Sequence, residues 1–131
     1  MSAYLDSSAL VKLVIDEPES QAMRAYVGGQ RGPLTTSALS RTEVVRSAAT
    51  SDPSTILAAR NLLSATNDIA VSRALLDAAA DLAVRTGICS LDAIHLATAL
   101  SVRRHLDAFV TYDRRQAAVA EELGLPVVTP A

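Results

Sequence analysis

The feature that most constrains the fold of this chain is the alternation of short apolar runs with longer helical stretches. Apolar runs of strand length occur at residues 4–5, 34–36, 69–71, 108–111 and 127–128. Helices are predicted between them at residues 7–15, 18–27, 39–50, 53–65, 73–85, 91–103 and 114–123. Strands separated by helices of this length need crossover connections, which are typical of a parallel sheet. The pattern therefore predicts an α/β fold, a three-layer sandwich with a central parallel sheet of about four to five short strands flanked by helices, in one domain over residues 1–131.

The composition excludes several classes of protein. Half of the residues are apolar, which excludes a disordered chain. The net charge of −2, from 12 basic and 14 acidic residues, excludes a protein that holds nucleic acid through overall basicity but leaves room for a local basic patch. The single cysteine, Cys89, excludes an internal disulfide, and we expect it to be a small buried residue of a cytoplasmic protein. No basic apolar leader and no run of about 18 apolar residues occurs, so neither a signal peptide nor a membrane span is expected.

Four acidic residues stand where predicted strands end or helices begin. Asp6 follows the first strand and Asp113 the fourth, Glu43 lies one turn into the helix after the second strand, and Asp92 begins a strongly apolar helix. Ligands of an open parallel sheet bind beyond the carboxyl ends of its strands, so we expect these carboxylates to converge. Clustered carboxylates must take up protons or bind a cation, and oxygen ligands alone favour a hard divalent ion such as Mg²⁺ or Mn²⁺.

Each of these acids also has a purely structural explanation. Asp6 and Asp113 are good helix N-caps, Asp92 is placed to complement a helix dipole, and Glu43 is spaced to pair with Arg46 on an exposed helix face. Unrelated caps and surface acids, however, have no reason to share one edge of a sheet. The residues alone leave both explanations open.

The residues around the acids resemble those of a known family. The chain reads Asp-x-Ser-Ala at 6–9, Ser-Arg-Thr-Glu-Val at 40–44, Asp-Ala-x-His-Leu-Ala-x-Ala at 92–99 and Thr-x-Asp at 111–113. In this order and spacing the motifs resemble the PIN-domain family, and within it the VapC-like toxins of bacterial toxin–antitoxin pairs. The resemblance covers essentially the whole chain, including Gly-Leu-Pro-Val-Val at 124–128.

The resemblance implies a PIN-like fold and a Mg²⁺-dependent endoribonuclease toxin that hydrolyses RNA phosphodiesters with metal-activated water, leaving 5′-phosphate and 3′-hydroxyl ends. The acidic positions that bind metal and catalyse in the family match Asp6, Glu43, Asp92 and Asp113. The small hydroxyl positions of the family match Ser8 and Thr111, which are expected to orient the neighbouring carboxylates. The family also implies a homodimer, and a cognate antitoxin that blocks the pocket in a heterotetramer or larger assembly.

Positive charge is needed near such a pocket to hold RNA. The basic residues within a turn of the acids are Arg41, Arg46, Arg114 and Arg115. Arginine binds phosphate with two parallel hydrogen bonds, so we expect these residues to contact the RNA backbone. Aromatic residues make up only 3% of the chain, which disfavours recognition by base stacking and favours a structured RNA read by shape. His95 is expected to be a core histidine or one that supports the ligands, because no other His or Cys is spaced to share a metal with it.

Alternatives to a ribonuclease stay open. A PIN-like domain can serve as a non-catalytic interaction scaffold, because a fold alone does not establish activity. A nuclease with the same pocket can act on DNA. A phosphatase with a nucleophilic aspartate after its first strand is disfavoured, because Ser8 occupies the position of its second aspartate. Mg²⁺ titration separates a scaffold from an enzyme, and matched RNA and DNA strands separate the two nucleases.

Overall fold

Five short strands form one parallel sheet in the computed structural model, which describes residues 1–131. The strands are β1 (Ser2–Leu5), β2 (Leu34–Ser37), β3 (Asn67–Ile69), β4 (Leu106–Val110) and β5 (Val127–Val128). Their spatial order is β3-β2-β1-β4-β5. The chain therefore builds outward from β1 to β3 and then crosses to the other side of β1 with β4. The winding direction reverses between β1 and β4, which is where open α/β sheets bind their ligands.

Seven helices cover the two faces of the sheet. They are α1 (Ser7–Val11), α2 (Ser20–Gly28), α3 (Ser40–Ser51), α4 (Ile56–Ser64), α5 (Arg73–Thr86), α6 (Ser90–Ser101) and α7 (Arg114–Glu122). The buried apolar residues of α1–α4 belong to one core and those of α5–α7 to another. The predicted three-layer α/β sandwich is thereby confirmed. None of these helices combines the length and the apolar character that a membrane crossing requires.

The two cores lie on opposite sides of β1 and β4, because successive side chains of a strand point to opposite faces. Tyr4 and Phe109 enter the core formed with α5–α7, and their rings stack with centroids 5.3 Å apart. Leu5 and Val110 enter the core formed with α1–α4. The last residues of β1 and β4 are therefore packed into a core on each face of the sheet.

The third strand does not lie where the apolar pattern predicted it. It runs over Asn67–Ile69 instead of residues 69–71. This edge strand pairs only with β2, and Asn67 and Asp68 are exposed. Backbone pairing with β2 sets its position, so its side chains carry little of the apolar signal on which the prediction relied.

The boundaries of the first two helices also differ from the prediction. Helix α1 ends at Val11 instead of residue 15, because the chain tightens into three-residue turns such as the bond from Leu13 N–H to the Leu10 carbonyl. Helix α2 begins at Ser20 instead of residue 18. The Ser20 hydroxyl holds the turn before it by accepting the Glu17 N–H at 2.9 Å and donating to the Ile15 carbonyl at 2.8 Å.

Candidate active site

The pairing of β1 with β4 brings the first site residues together. Leu5 pairs with Val110 in the register, and the Asp6 N–H donates to the Val110 carbonyl at 3.2 Å. Asp6 and Thr111 therefore leave adjacent strands side by side at the same edge of the sheet. This edge is the reversal point of the winding, as the sequence predicts for Asp6.

Three donors surround the Asp6 carboxylate, which is almost fully buried. Ser8 donates to Oδ1 at 2.6 Å, the Ala9 N–H donates to Oδ1 at 3.0 Å, and Thr111 donates to Oδ2 at 2.6 Å. Burial raises the pKa of Asp6, and the hydroxyls of Ser8 and Thr111 oppose that rise. Asp6 is thus the N-cap of α1 and a buried carboxyl group with hydrogen-bond donors on both oxygens at the end of the strand.

Asp113 is the N-cap of α7 and lies just after β4, on the β4 side of the reversal. Its Oδ1 accepts the Gln116 N–H at 2.9 Å, and its own N–H donates to the Thr111 hydroxyl at 3.0 Å. The buried Gln116 side chain donates to the Asp92 carbonyl at 3.2 Å, which joins α7 to α6. One hydroxyl, that of Thr111, therefore bonds to both Asp6 and Asp113.

Glu43 reaches the same edge from α3 on the neighbouring β2 side. Its Oε1 accepts hydrogen bonds from Ser7 at 2.5 Å and from His95 Nε2 at 2.7 Å, and no ion pair joins it to Arg46. Burial of Glu43 works against its charge, but the hydrogen bonds from His95 and Ser7 outweigh it and lower the pKa. The exposed helix-face pairing considered from the sequence is therefore wrong for Glu43, which points toward α1 and α6.

Asp92 lies in the first turn of α6 and is partly exposed. Its Oδ2 accepts a hydrogen bond from Cys89 Sγ at 3.0 Å, and this bond raises the pKa of the thiol. The prediction that Cys89 is buried is wrong, because Cys89 is the N-cap of α6 and is exposed.

All four carboxylates line one cavity of about 400 Å³ at this edge. Its twelve lining residues include only two hydrophobic ones, Val11 and Tyr112, and the polar members other than the four acids are Ser7, Ser8, Lys12, Glu17, Ser47 and His95. In Glu43, Asp92 and Asp113 one carboxylate oxygen has a protein donor and the other has none. No three of the chain's His, Cys, Asp and Glu side chains are grouped tightly enough to hold a metal ion by themselves.

Lys12 is the cavity's single lysine or arginine, and the sequence pattern gave no indication of a role for it. Its Nζ lies 2.8 Å from Glu19 Oε2, 3.5 Å from Glu17 Oε1 and 5.2 Å from the centre of the Tyr112 ring. Burial works against its charge, but the two glutamates raise the pKa of Lys12. Glu17 and Glu19, which lie between α1 and α2, therefore fix the position of this lysine.

The four arginines predicted to hold RNA lie outside the carboxylate cavity. Arg41 and Arg46 line a separate groove of about 530 Å³ between α3 and α4, together with Arg60, which the sequence pattern did not single out. Arg114 lines a third cavity, next to Lys12, and Arg115 donates to the Gly87 carbonyl at 3.1 Å. Arg41 is also tied to Asp68 at 3.1 Å.

Comparison with known proteins agrees with this architecture. The PIN domain model matches residues 3–129. The chain is 41% identical over 128 residues to Ribonuclease VapC46 of Mycobacterium tuberculosis, covering 98% of this chain and 97% of the relative.

Among solved structures, it matches VapC20 of Mycobacterium tuberculosis, described as a sarcin-ricin loop cleaving toxin, with a TM-score of 0.82, 16% identity and coverage of 98% and 99%. It also matches a chain of a toxin-antitoxin complex from Klebsiella pneumoniae with a TM-score of 0.76, 24% identity and coverage of 98% of both chains. At these identities the structural matches show the fold alone. The family model and the curated relative, each covering nearly the whole length, show that the chain belongs to the PIN domain family.

Proposed function

We propose that residues 1–131 form one divalent-metal-dependent endoribonuclease domain and act as the toxin of a toxin–antitoxin pair. The observation that carries the proposal is the cavity at the reversal of the sheet, lined by carboxylates from four separate parts of the chain. The name of the relative VapC46, a ribonuclease, supports the same reaction class.

The donor chemistry of the cavity fits a hard cation. Asp6, Glu43, Asp92 and Asp113 would hold Mg²⁺ or Mn²⁺, because their oxygen atoms match the preference of these ions. Magnesium usually keeps several waters and binds through only one or two protein carboxylates. A loosely grouped carboxylate set with unpartnered oxygens is compatible with that mode of binding.

In the proposed reaction the chain's own groups set the charge and the orientation of the site. When bound, a divalent ion supplies Lewis-acid activation of the phosphodiester and of the attacking water. Ser8 and Thr111 favour the ionised form of Asp6 by donating to both of its oxygens. Glu43 and Asp92, each with one oxygen free of protein donors, orient the water or accept its proton. The products are a 5′-phosphate and a 3′-hydroxyl end.

The basic residues around the cavity are proposed to hold a structured RNA. Lys12 is placed to meet a phosphate at the cavity itself. Arg41 and Arg46 would bind the backbone on the α3–α4 side, and Arg114 and Arg115 on the α7 side. Arginine in such positions binds phosphate without reading the sequence of bases.

The partner proposed for this domain is a cognate antitoxin that covers the cavity, with the toxin present as a homodimer within the complex. The fold shared with a chain of a toxin-antitoxin complex supports this arrangement. The chain and its antitoxin are expected to function in the cytoplasm, where the RNA is.

Cleavage of a structured RNA by the purified chain tests the proposal. We expect cutting with Mg²⁺ and none with EDTA, and a loss of at least about 100-fold for Asp6→Asn, as is typical when a catalytic group is removed. Asp77→Asn is the matched control, because Asp77 is exposed on α5 and does not line the cavity. No Mg²⁺-dependent cutting of RNA or DNA would support a scaffold instead, and preferential cutting of a matched DNA strand would identify a DNA nuclease.

A further inference from the structure

A chain of hydrogen bonds connects the core of the protein to Glu43. The Tyr4 hydroxyl lies 2.7 Å from His95 Nδ1, and His95 Nε2 lies 2.7 Å from Glu43 Oε1. Tyr4 is fully buried and His95 is only 2% exposed. Strand β1 contributes Tyr4, helix α6 contributes His95 and helix α3 contributes Glu43. These three elements must therefore pack correctly for the two hydrogen bonds to form.

The direction of the bond to Glu43 follows from the chemistry of its acceptor. An ionised carboxylate only accepts hydrogen bonds, so His95 Nε2–H must be the donor, whether the ring is neutral or doubly protonated. The Tyr4 hydroxyl then bonds to the remaining ring nitrogen, which leaves the imidazole fully satisfied in the core. The bond pattern therefore fixes the ring orientation and presents one N–H toward the cavity.

Tyr4 is itself a rigid anchor. Its ring stacks on Phe109 at an interplanar angle of 4° and meets the His95 ring edge-on at 76°, with centroids 5.9 Å apart. The phenol has little freedom to turn, so the imidazole beside it is equally restrained. A histidine that merely filled the core would not need its second nitrogen aimed at a carboxylate of the cavity.

We propose that His95, held by Tyr4, is a positioning residue that fixes the Glu43 carboxylate for metal-dependent cleavage. Together with Ser7, it occupies Glu43 Oε1 and leaves Oε2 without a protein partner. This inference rests on the proposed function, because it concerns the same cavity. Removing the outer partner of a metal-binding group typically weakens metal affinity or activity about 10–100-fold.

The test compares His95→Gln with His95→Met. These side chains have nearly the same length and shape, but only glutamine carries an N–H donor that can replace Nε2–H. We expect His95→Met to lose about 10–100-fold in Mn²⁺ affinity, measured by calorimetry, or in kcat. His95→Gln should stay within about 5-fold of the parent, and the KM for RNA should change in neither variant. Circular dichroism and thermal melting establish that both variants fold, and equal losses in the two folded variants would overturn the proposal.

A double-mutant cycle with Glu43→Gln separates this inference from the proposed function. If His95 acts through Glu43, His95→Met adds no further loss to Glu43→Gln. Full activity of Glu43→Gln would remove Glu43 from the proposed metal site and overturn the positioning role, whereas absence of Mg²⁺-dependent cutting by the parent would overturn the proposed function. An impaired Glu43→Gln beside a fully active His95→Met, or additive losses in the double variant, would overturn the positioning role alone.

Discussion

Replacing Thr111 with valine tests how the site is held together. The Thr111 hydroxyl donates to Asp6 Oδ2 at 2.6 Å and accepts the Asp113 N–H at 3.0 Å, and the side chain is fully buried. Valine has nearly the same shape but lacks the hydroxyl. The substitution therefore removes these two hydrogen bonds, together with the longer contacts of the hydroxyl with Gln116 Oε1 at 3.3 Å and Ser8 Oγ at 3.4 Å, without opening a cavity. It leaves Asp6 with donors on Oδ1 alone.

The size of the effect follows from these bonds. A hydrogen bond to a charged group contributes about 1.5–3 kcal/mol, and an unsatisfied buried donor costs about 1–3 kcal/mol, part of which the added methyl group of valine offsets. We expect Thr111→Val to lower the unfolding free energy by about 2–3 kcal/mol at pH 7. For a chain of 131 residues, about 4 °C in Tm corresponds to 1 kcal/mol, so Tm should fall by about 8–12 °C.

Thr111→Ser is the matched control, because it keeps the hydroxyl and loses only a methyl group, at a cost of about 1 kcal/mol. Thermal melting by circular dichroism in EDTA measures both variants, and Mn²⁺ calorimetry then measures the site. Thr111→Val should bind Mn²⁺ about 10–100-fold more weakly, whereas Thr111→Ser should bind as the parent does. A Thr111→Val variant with the same Tm as the parent, or with a Tm no lower than that of Thr111→Ser, would refute this account of the hydroxyl.

Two further predictions concern charge. Burial raises the pKa of Asp6, so the folded protein holds this proton more tightly than the unfolded chain does. In EDTA the contribution of Asp6 to the unfolding free energy should therefore fall as the pH rises above the usual aspartate pKa of about 3.9. Urea unfolding from pH 4 to 7 should show this component in the parent and not in Asp6→Asn; identical pH dependence would contradict it. Separately, Arg46→Gln and Arg60→Gln should each weaken RNA binding and reduce the salt slope, the dependence of log K on log salt concentration, by about 0.7–0.9, as expected for the loss of one phosphate contact. The exposed Arg85 on α5 provides the control substitution, and a slope unchanged in all three variants would exclude the α3–α4 groove from RNA binding.

The parts of the fold that the sequence predicts are those with local signals. Strands β1 and β4 end in short buried apolar runs, at residues 3–5 and 108–110, and the polar residues that follow each run are visible in the sequence. Asp6 and Asp113 can therefore be assigned to one edge from the order of the residues alone. Parallel pairing requires them to be near each other, because both strands end at the same side of the sheet.

The parts of the fold and of the site that the sequence does not predict depend on contacts between residues far apart in the chain. The position of β3 is set by pairing with β2, and its polar residues give no apolar signal. The partners of Glu43 come from α1 and α6, and His95 lies 52 positions away along the chain. The only sequence sign of this contact is the spacing of three residues between Asp92 and His95, which puts both near one helix face. The sequence does not predict the position of Lys12 for the same reason, since its place at the cavity depends on how the chain turns after α1.

The cavity also ties the stability of the protein to its proposed activity. Asp6 and Glu43 are held by hydroxyls, an imidazole and a backbone N–H, which reduce the cost of their buried charge without supplying a full positive charge for both. A divalent ion that binds only the folded state would supply that charge and add about 2.7 kcal/mol of stability at a concentration about 100-fold above its Kd. Thermal melting with and without Mn²⁺ therefore reports on the carboxylates without any RNA present. Because the hydrogen bonds from Tyr4 end at Glu43, a His95→Met variant that keeps its Tm in EDTA but gains less from Mn²⁺ would locate the defect in the site and not in the core.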